Sequence, residues 1–442
     1  MVTDSLQNEL VERLWRAVAP DSDHDGFIVD GPSTLDSAFA VSEFSAASIA
    51  VAGLAASRLL STGERADDAA AVTVDRPLAA AWFGQALSPI GWTLPSPWDD
   101  LAGDYRAADG WIRLHTNAPH HRAAALRALG VSATREEVAA EVSGRRAEDI
   151  ETAVVAAGGC AAVMYSWSEW SRHPQGEAVM KEPLVDWAEG SESTGDGFRV
   201  LDLTRVIAGP VATRLLAGFG ADVLRIDSPD WDEPAIVPDM TVGKRAARLD
   251  IKTSDGRATL EELIAGADVV VHGYRADALE NLGIDFDAIH PGIVDVAIDA
   301  YGWTGPWRNR RGFDSLVQMS GGIAEEGMRW FRAEKPTPLP VQALDHATGY
   351  LAAAAALTGL ALRKETGKGS RARLSLARTG VELAGVGRGD APVPAPIQVG
   401  SQLSTPWGSA SLLPPPLTVN GEPPRWERGP RPLGTDAPRW VE

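Results

Sequence analysis

The stretch RVLDLTRVIAGPVATRLLAGFGADVLRID, residues 199–227, decides the fold of this chain. Its first part, 199–204, is an apolar run that predicts a β-strand, and Pro210 then suits the first turn of a helix. The helix is predicted over 211–219, where a glycine ends it, and a second strand follows over 221–227. Strand, helix and strand with short connections indicate a parallel sheet covered by helices on both faces.

The same alternation continues downstream. A helix is predicted over 256–265, and the runs 268–272 and 293–300 are apolar enough for central parallel strands. The first strand-to-helix turn contains no G-x-G-x-x-G pattern, and no G-x-x-x-x-G-K-[ST] pattern occurs in the chain. The sequence therefore predicts an α/β fold with a Rossmann-like, doubly wound, mostly parallel sheet, and it disfavours nicotinamide and P-loop chemistry.

Composition excludes several classes of partner. The chain has 442 residues, and its 41 basic and 60 acidic residues give a net charge of 41 − 60 = −19. This acidity argues against binding to nucleic acid or to an anionic membrane, although a small basic pocket remains compatible with it. The start is polar and acidic, and the longest apolar stretch, 350–362, is too short for a bilayer and predicts a buried helix. The single cysteine, Cys160, excludes an intrachain disulfide and indicates a reducing cytoplasm.

Four regions separate on composition. Residues 1–189 are Ala-rich with a helical pattern, and GSESTGDG at 190–197 is predicted to be a linker. Residues 198–386 hold the predicted sheet domain. Residues 387–442 are rich in Pro and Gly and are predicted to be irregular.

Beyond the opening stretch, further motifs match a known pattern in order. They are GKRAARLDIK at 243–252, ADVVVHGYR at 267–275, AYGWTGP at 300–306, RGFDSLVQMSG at 311–321, and ALD at 343–345 with TGKG at 366–369. Together with 199–227 these motifs resemble family III CoA-transferases of the CaiB/BaiF type, which include formyl-CoA transferases and 2-methylacyl-CoA racemases. The resemblance implies a sheet domain that binds CoA, joined to a smaller α+β domain.

The first region resembles the smaller domain of the same family, but in an unusual place. DGWIRLH at 109–115 and GGCAAV at 158–163 resemble pieces that follow the sheet domain in ordinary members. The order is therefore permuted, or two partial copies have been fused. Placing Ser61 on Glu365 gives an offset of 365 − 61 = 304, which puts Val41 opposite Asp345. On this alignment a first copy has lost its carboxylate.

The resemblance assigns roles to individual residues. Asp345 takes the position of the nucleophile, which forms an anhydride with the acyl group and then an aspartyl-CoA thioester. Arginine and lysine suit the phosphates of CoA. The expected CoA-binding residues are Val206, Ile207, Arg245, Leu249, Lys252, Tyr274, Arg275, Arg311 and Phe313, with Lys244 as a further basic candidate. CoA and acyl-CoA are then substrates rather than bound cofactors, a carboxylic acid is the acceptor, and a homodimer is expected by analogy with the family's ring dimers.

Two alternatives to CoA transfer remain open. The acidic stretch 227–233 lacks the family's arginine and no mobile Gly-rich loop is recognisable, which motivates a non-catalytic CoA-binding homologue or partner subunit. The other is racemase-like α-proton chemistry, which Phe313 disfavours because racemases carry a histidine there and phenylalanine cannot transfer protons. His346 is expected at the surface. The group His115, His120 and His121 has no acidic or cysteine ligand at suitable spacing, so no metal site is predicted.

Overall fold

A computed structural model describes most of the chain. The described residues are 2–20, 22–60, 72–193, 195, 197–230, 232–275, 278, 282–396 and 398–441, with the backbone alone at 2–4. The residues that anchor the internal alignment, 61–63, lie outside them.

The elements fall into four groups along the chain. The first is α1 Val2–Val18, β1 Phe27–Asp30, α2 Val41–Leu60, β2 Val72–Asp75, α3 Arg76–Trp82 and β3 Leu87–Ile90. The second is β4 Gly103–Arg106, β5 Trp111–Leu114, α4 Pro119–Leu129, α5 Arg135–Ser143, α6 Ala147–Ala156, β6 Ala161–Val163, α7 Trp167–Trp170 and α8 Pro174–Lys181. The third is β7 Asp186–Glu192, β8 Arg199–Leu203, α9 Ala208–Gly218, β9 Asp222–Asp227, α10 Val237–Met240, β10 Arg245–Arg248, α11 Ser254–Ala265, β11 Val269–His272, α12 Phe286–Ile289, β12 Val294–Asp299, α13 Asp314–Ser320, α14 Ile323–Phe331, α15 Ala343–Thr366, β13 Lys368–Ser375 and α16 Leu376–Val386. The fourth is β14 Ser401–Thr405, β15 Gly408–Leu412 and β16 Leu417–Val419.

The third group builds the predicted sheet. Its strand order is β10-β9-β8-β11-β12-β13-β7, and every pair is parallel except the antiparallel edge pair of β13 with β7. Counted from β8, the six parallel strands run 3-2-1-4-5-6, the order of a doubly wound fold. The α/β class with a mostly parallel sheet, predicted from residues 199–227, is therefore confirmed.

Both faces of this sheet are buried, as its continuous apolar strands require. In β11, Val269 and Val271 pack into the core that α9 and α15 share, whereas Val270 faces the opposite core beneath α11. Side chains alternate between the two faces of a strand, so both cores need apolar residues. This explains why the strand is valine at three successive positions.

Helix α15 is the longest element of the sheet domain and is almost entirely enclosed, as predicted for 350–362. It packs against α9 on one side and α2 on another. Glycine permits close contact, since a Cβ at Gly349 would lie 2.9 Å from the Cβ of Val211. Helix α2 is long and apolar enough to cross a membrane, but 18 of its 20 residues are buried in protein.

A smaller α+β unit is built from the second group. Strands β4, β5 and β6 form an antiparallel sheet on which α4, α5 and α6 enclose a separate apolar core. This is the smaller domain that the resemblance implied. Two further three-stranded sheets, β1-β2-β16 and β14-β15-β3, join the first and fourth groups.

Two expectations about irregular segments are corrected by these sheets. The predicted linker 190–197 begins inside β7, whose backbone continues the main sheet beside β13 as far as Glu192. The Pro/Gly-rich segment 387–442 contains β14, β15 and β16, which pair with each other or with strands of the first group. Both segments lack an apolar period in sequence, because their strands lie at sheet edges or in small, partly exposed sheets.

Candidate functional site

A cavity of about 760 Å³ opens at the carboxyl ends of the parallel strands. One lining residue follows or ends each strand in turn: Val206 for β8, Asp230 for β9, Lys252 for β10, Arg275 for β11, Asp299 for β12 and Leu376 for β13. Ligands of doubly wound sheets bind at this edge, and the volume is that of a small-molecule site. The strand ends alone therefore bring together segments up to 170 residues apart, since 376 − 206 = 170.

Asp345 lines this cavity from the first turn of α15. Its side chain is only 6% exposed, and its backbone N–H donates to Oδ2 of Asp314 over 2.9 Å. Burial, followed by the negative charges of Asp314 and Glu233, raises the pKa of Asp345 well above its ordinary value. A carboxylate with a raised pKa is poorly solvated and, once ionised, more nucleophilic than one in water.

Asp314 forms a buried acidic pair with Asp345. Burial raises the pKa of Asp314 to about 6, opposed by the backbone N–H of Asp345 and the side chain of Gln318, which both donate to it. Gln318 is itself fixed, because its Oε1 accepts from the backbone N–H of Leu339 at 2.7 Å. Ionisation of one carboxyl group of this pair therefore makes ionisation of the other less favourable, so the two protons are lost in separate steps.

A third buried carboxylate, Asp299, lies on the same cavity wall. It accepts hydrogen bonds from the backbone N–H groups of Tyr301 at 2.8 Å and Gly302 at 3.0 Å. Burial nevertheless raises its pKa to about 7. At neutral pH Asp299 is thus partly protonated, and it is the second carboxyl group beside Asp345 on the cavity wall.

The backbone is strained where the cavity meets β8. Val206 has φ of +63°, a left-handed conformation that is unfavourable for a β-branched residue. Its N–H donates to Oε2 of Glu233 at 3.0 Å, which holds the turn. Such strain typically costs about 1–3 kcal/mol and persists mainly at functional sites.

Several residues expected from the resemblance meet in the cavity. Besides Asp345, they are Val206, Lys252, Arg275, Arg311 and Phe313. Lys252 is exposed and forms an ion pair with Asp230 at 3.1 Å, so it lies at the mouth.

Three other expected residues are absent from the cavity lining in the described part of the chain. Ile207 packs against the core shared by α9 and α15. Leu249 and Tyr274 both pack, partly buried, against the core beneath α11.

Arg245 and Lys244 are corrected, because both cations are used inside the fold. The guanidinium of Arg245 is buried in an ion pair with Asp222 at 2.8 Å and donates to the carbonyl of Arg439 at 2.7 Å. Lys244 is fully buried, and its Nζ lies 2.9 Å from Oδ2 of Asp202. Neither can reach a ligand in the cavity. Sequence alone could not separate them from Lys252, since all three lie in one matched motif.

Sequence reasoning missed the contribution of the smaller domain. Helix α4 places His120 and His121 on the cavity wall, and the ring of His115 stacks on that of Phe313 with centroids 3.7 Å apart. These histidines are nearly 200 residues from Phe313 in sequence (313 − 120 = 193), so no local spacing could reveal the contact.

His346 is also corrected. It was expected at the surface, but it is 1% exposed and stacks on Phe83 with ring centroids 5.2 Å apart. Burial lowers its pKa to about 3. His346 does point away from Asp345, as its neighbouring position on the helix predicts. That side of α15 is covered by α3 and by Phe83, which follows α3, rather than by solvent.

Comparison with known proteins shows similarity to one family. Residues 196–402, slightly less than half of the chain, match the model of CoA-transferase family III. An acetyl-coenzyme A transferase of Hypoxylon pulicicidum is 33% identical over 47% of this chain and 34% of its own length. Succinyl-CoA:glutarate CoA-transferase of Mus musculus is 32% identical over 45% of this chain and 47% of its own.

The solved structure of Rv3272 from Mycobacterium tuberculosis is 28% identical, covers 44% of this chain and 57% of its own, and has a TM-score of 0.39. The chain spans about a third to a half of the length of the curated relatives it matches.

Proposed function

We propose that the chain is an acyl-CoA:carboxylate CoA-transferase in which Asp345 is the covalent nucleophile. The observation that carries this proposal is a buried, poorly solvated carboxylate in a cavity whose rim is cationic. The names of the relatives support CoA as the group transferred.

The proposed reaction conserves the thioester bond energy through two exchanges on one carboxylate. The ionised Oδ of Asp345 attacks the thioester carbonyl, the C–S bond breaks, and an aspartyl anhydride and CoA thiolate result. The thiolate attacks the aspartyl carbonyl and expels the donor acid as a carboxylate, leaving an aspartyl-CoA thioester. The acceptor carboxylate attacks that thioester, and the released thiolate then attacks the acceptor carbonyl, which regenerates Asp345.

The basic residues of the cavity suit the phosphates of CoA. Arg275 and Arg311 line its wall, and Lys252 lies at the exposed mouth. Arginine can bind two phosphate oxygens at once. This arrangement places cations in the cavity despite the net charge of −19.

Proton removal from the α-carbon is less well supported. Phe313 occupies the position expected to carry the base, and burial lowers the pKa of His121 to about 4, which makes it a weak base. Homodimer formation and a cytoplasmic location remain proposals that rest on the resemblance and on the single cysteine, Cys160.

The proposal is tested by trapping. The protein is incubated with acetyl-CoA or succinyl-CoA and then with hydroxylamine, and peptides are mapped by mass spectrometry. A hydroxamate at Asp345 that is absent from Asp345→Asn is expected. A hydroxamate at Asp299 instead would show that Asp345 is not the nucleophile. Asp299→Asn is the matched control, because it also removes a buried carboxyl group from the cavity.

Two other outcomes would replace the proposal. Acyl-CoA binding with no hydroxamate and no exchange would favour a non-catalytic CoA-binding protein. Deuterium incorporation at the α-carbon without CoA exchange would favour α-proton chemistry.

A further inference from the structure

His121 is a buried polar side chain whose hydrogen-bonding groups are unused. It is 4% exposed, it lines the cavity, and neither Nδ1 nor Nε2 has a hydrogen-bond partner among the described residues. A buried polar group without a partner typically costs about 1–3 kcal/mol, so most are satisfied in native proteins. An unpartnered imidazole that faces a cavity therefore indicates a ligand atom as its missing partner.

The imidazole is close to the nucleophile's surroundings. The ring of His121 meets that of Phe313 edge to face, with centroids 5.8 Å apart. Phe313 immediately precedes Asp314, whose carboxylate accepts the backbone N–H of Asp345. The two domains thus bring His121 and Asp345 to the same cavity.

Several hydrogen-bond donors around Asp345 are already engaged within the protein. The first-turn N–H groups of α15 would normally stabilise negative charge, but those of Leu344 and Asp345 are already directed to Asp314. The Arg310 side chain is bound to Glu151 at 2.9 Å and to the carbonyl of Ala161 at 2.7 Å. A negative charge that develops on a thioester oxygen must therefore be stabilised by other donors of the cavity wall, among which are His121, Arg275 and Arg311.

His121 can supply such a donor. Burial, with the neighbouring His120 and Arg311, lowers its pKa to about 4, so the ring is neutral near pH 7. A neutral imidazole has one N–H donor and can polarise a carbonyl without adding a full charge to the site. It is also too weakly basic to compete for the nucleophile's proton.

We propose that His121 donates a hydrogen bond to the carbonyl oxygen of the bound acyl-CoA thioester and stabilises the oxyanion formed when Asp345 attacks. This inference rests on the proposed transferase function and names a catalytic residue supplied by the smaller domain. Removal of one oxyanion donor typically lowers kcat by about 10²–10³-fold.

The hydrogen bond is measured directly in a protein that cannot turn over. Acetyl-CoA labelled with ¹³C at the thioester carbonyl is bound to Asp345→Asn, and the carbonyl stretching band is recorded by infrared difference spectroscopy. The band is expected at lower wavenumber than in water, and His121→Phe in the same background should return it toward higher wavenumber. His121→Phe keeps an aromatic ring against Phe313, so the cavity wall is preserved.

Two further variants identify the donor atom. Glutamine places an amide near the position of Nε2, and asparagine near that of Nδ1, so whichever of His121→Gln and His121→Asn retains the shifted band shows which nitrogen donates. With Asp345 intact, His121→Phe should lower kcat about 100-fold while CoA affinity stays within about twofold. His24→Gln, in the partly buried loop that follows α1, controls for loss of a histidine outside the cavity and should leave the band unchanged.

The inference and the function on which it rests fail in different ways. If the Asp345→Asn protein does not bind acetyl-CoA, the proposed function is wrong. If acetyl-CoA binds with a band that His121→Phe does not move, only the role of His121 is wrong. Loss of the shifted band in Arg311→Met but not in His121→Phe would assign the donor to Arg311 instead.

Discussion

Replacement of Gly349 by alanine tests whether close contact between α15 and α9 holds the proposed nucleophile, Asp345, in place. Gly349 lies one helical turn after Asp345, and an added methyl group would lie 2.9 Å from the Cβ of Val211 and overlap the carbonyl oxygen of Ala208. Real Cβ atoms essentially never approach this closely, and the obstructing atoms are backbone and a Cβ that cannot rotate away. Helix α15 must therefore shift away from α9.

The expected loss can be worked from this geometry. Overpacking a dense core typically costs about 1–3 kcal/mol, whereas alanine is favoured over glycine in a helix by about 1 kcal/mol. The net destabilisation of Gly349→Ala is then about 0–2 kcal/mol, which leaves it about 1–3 kcal/mol less stable than a glycine-to-alanine change that meets no obstruction. Transfer activity should fall further, because Ala208 and Asp345 both line the cavity and a displacement of about 1 Å can cost 10²-fold in rate.

Gly380 of α16 provides the matched control. A Cβ there would lie 3.6 Å from side-chain atoms of Ile323 and Leu344, which is ordinary contact. Gly380→Ala should leave stability unchanged or raise it by up to about 1 kcal/mol. Urea unfolding followed by tryptophan fluorescence measures both variants. Equal stability of Gly349→Ala and Gly380→Ala would refute the close-contact argument.

Three further predictions concern buried charges. Asp314→Asn removes one charge of the acidic pair. Two unit charges about 4 Å apart interact by about 4 kcal/mol at an effective dielectric of about 20, and by less at greater separation. The acidic limb of kcat/KM should therefore move one to two pH units lower. Gln318→Met removes a hydrogen bond that lowers the pKa of Asp314 but keeps the carboxyl group, so it should not reproduce this shift to lower pH. The folded protein holds the proton on Asp299 up to pH about 7 whereas the unfolded chain releases it near 3.8, so stability falls by about 4 kcal/mol as pH rises through this range. Asp299→Asn should remove that fall from the pH dependence of urea unfolding, and an unchanged dependence would contradict it. Arg310→Met leaves Glu151 buried without its ion-pair partner and should cost about 3–5 kcal/mol, part of which Glu151→Gln restores; a double variant as unstable as the sum of both singles would contradict the pairing.

The sheet could be predicted because its signals are local. Strands β8, β9, β11 and β12 are short, mainly apolar runs, and helices with recognisable ends lie between them. Asp345 could be singled out because it lies in an ordered series of motifs, and it does line the cavity. The strands after residue 387 could not, since they are short and their partners, such as β3, are more than 300 residues away.

The errors within the site have a different cause. Arg245, Lys244 and Lys252 lie within nine residues of one another, yet only Lys252 lines the cavity. Arg245 forms an ion pair with Asp222, and Lys244 forms one with Asp202, so both cations are used inside the fold. A motif shows that a cation is present but does not show which acid is opposite it, because that depends on strand pairing.

The hypothesis of two fused partial copies gains a structural argument from the order of elements. Helix α2 is followed by β2 and then α3, as α15 is followed by β13 and α16. In each case the strand pairs in parallel with an earlier strand. The last residue of each strand also caps the helix that follows it. The side chain of Asp75 accepts from the N–H of Leu78 at 2.8 Å, and that of Ser375 accepts from the N–H of Arg378 at 3.2 Å. Matching the two caps gives an offset of 375 − 75 = 300, four less than the helix alignment, and the difference falls in residues 61–71, outside the described residues.

Alignment of the two helices at their first residues gives a different counterpart for Asp345. Asp345 is the third residue of α15, and the third residue of α2 is Glu43 rather than Val41. Glu43 is 1% exposed and accepts hydrogen bonds from the hydroxyl of Ser33 and the backbone N–H of Asp390. A first copy would then have kept its carboxylate but used it to bind neighbouring segments. The hypothesis fails if α2, β2 and α3 cannot be superposed together on α15, β13 and α16, because a shared origin requires the same handedness and spacing of all three.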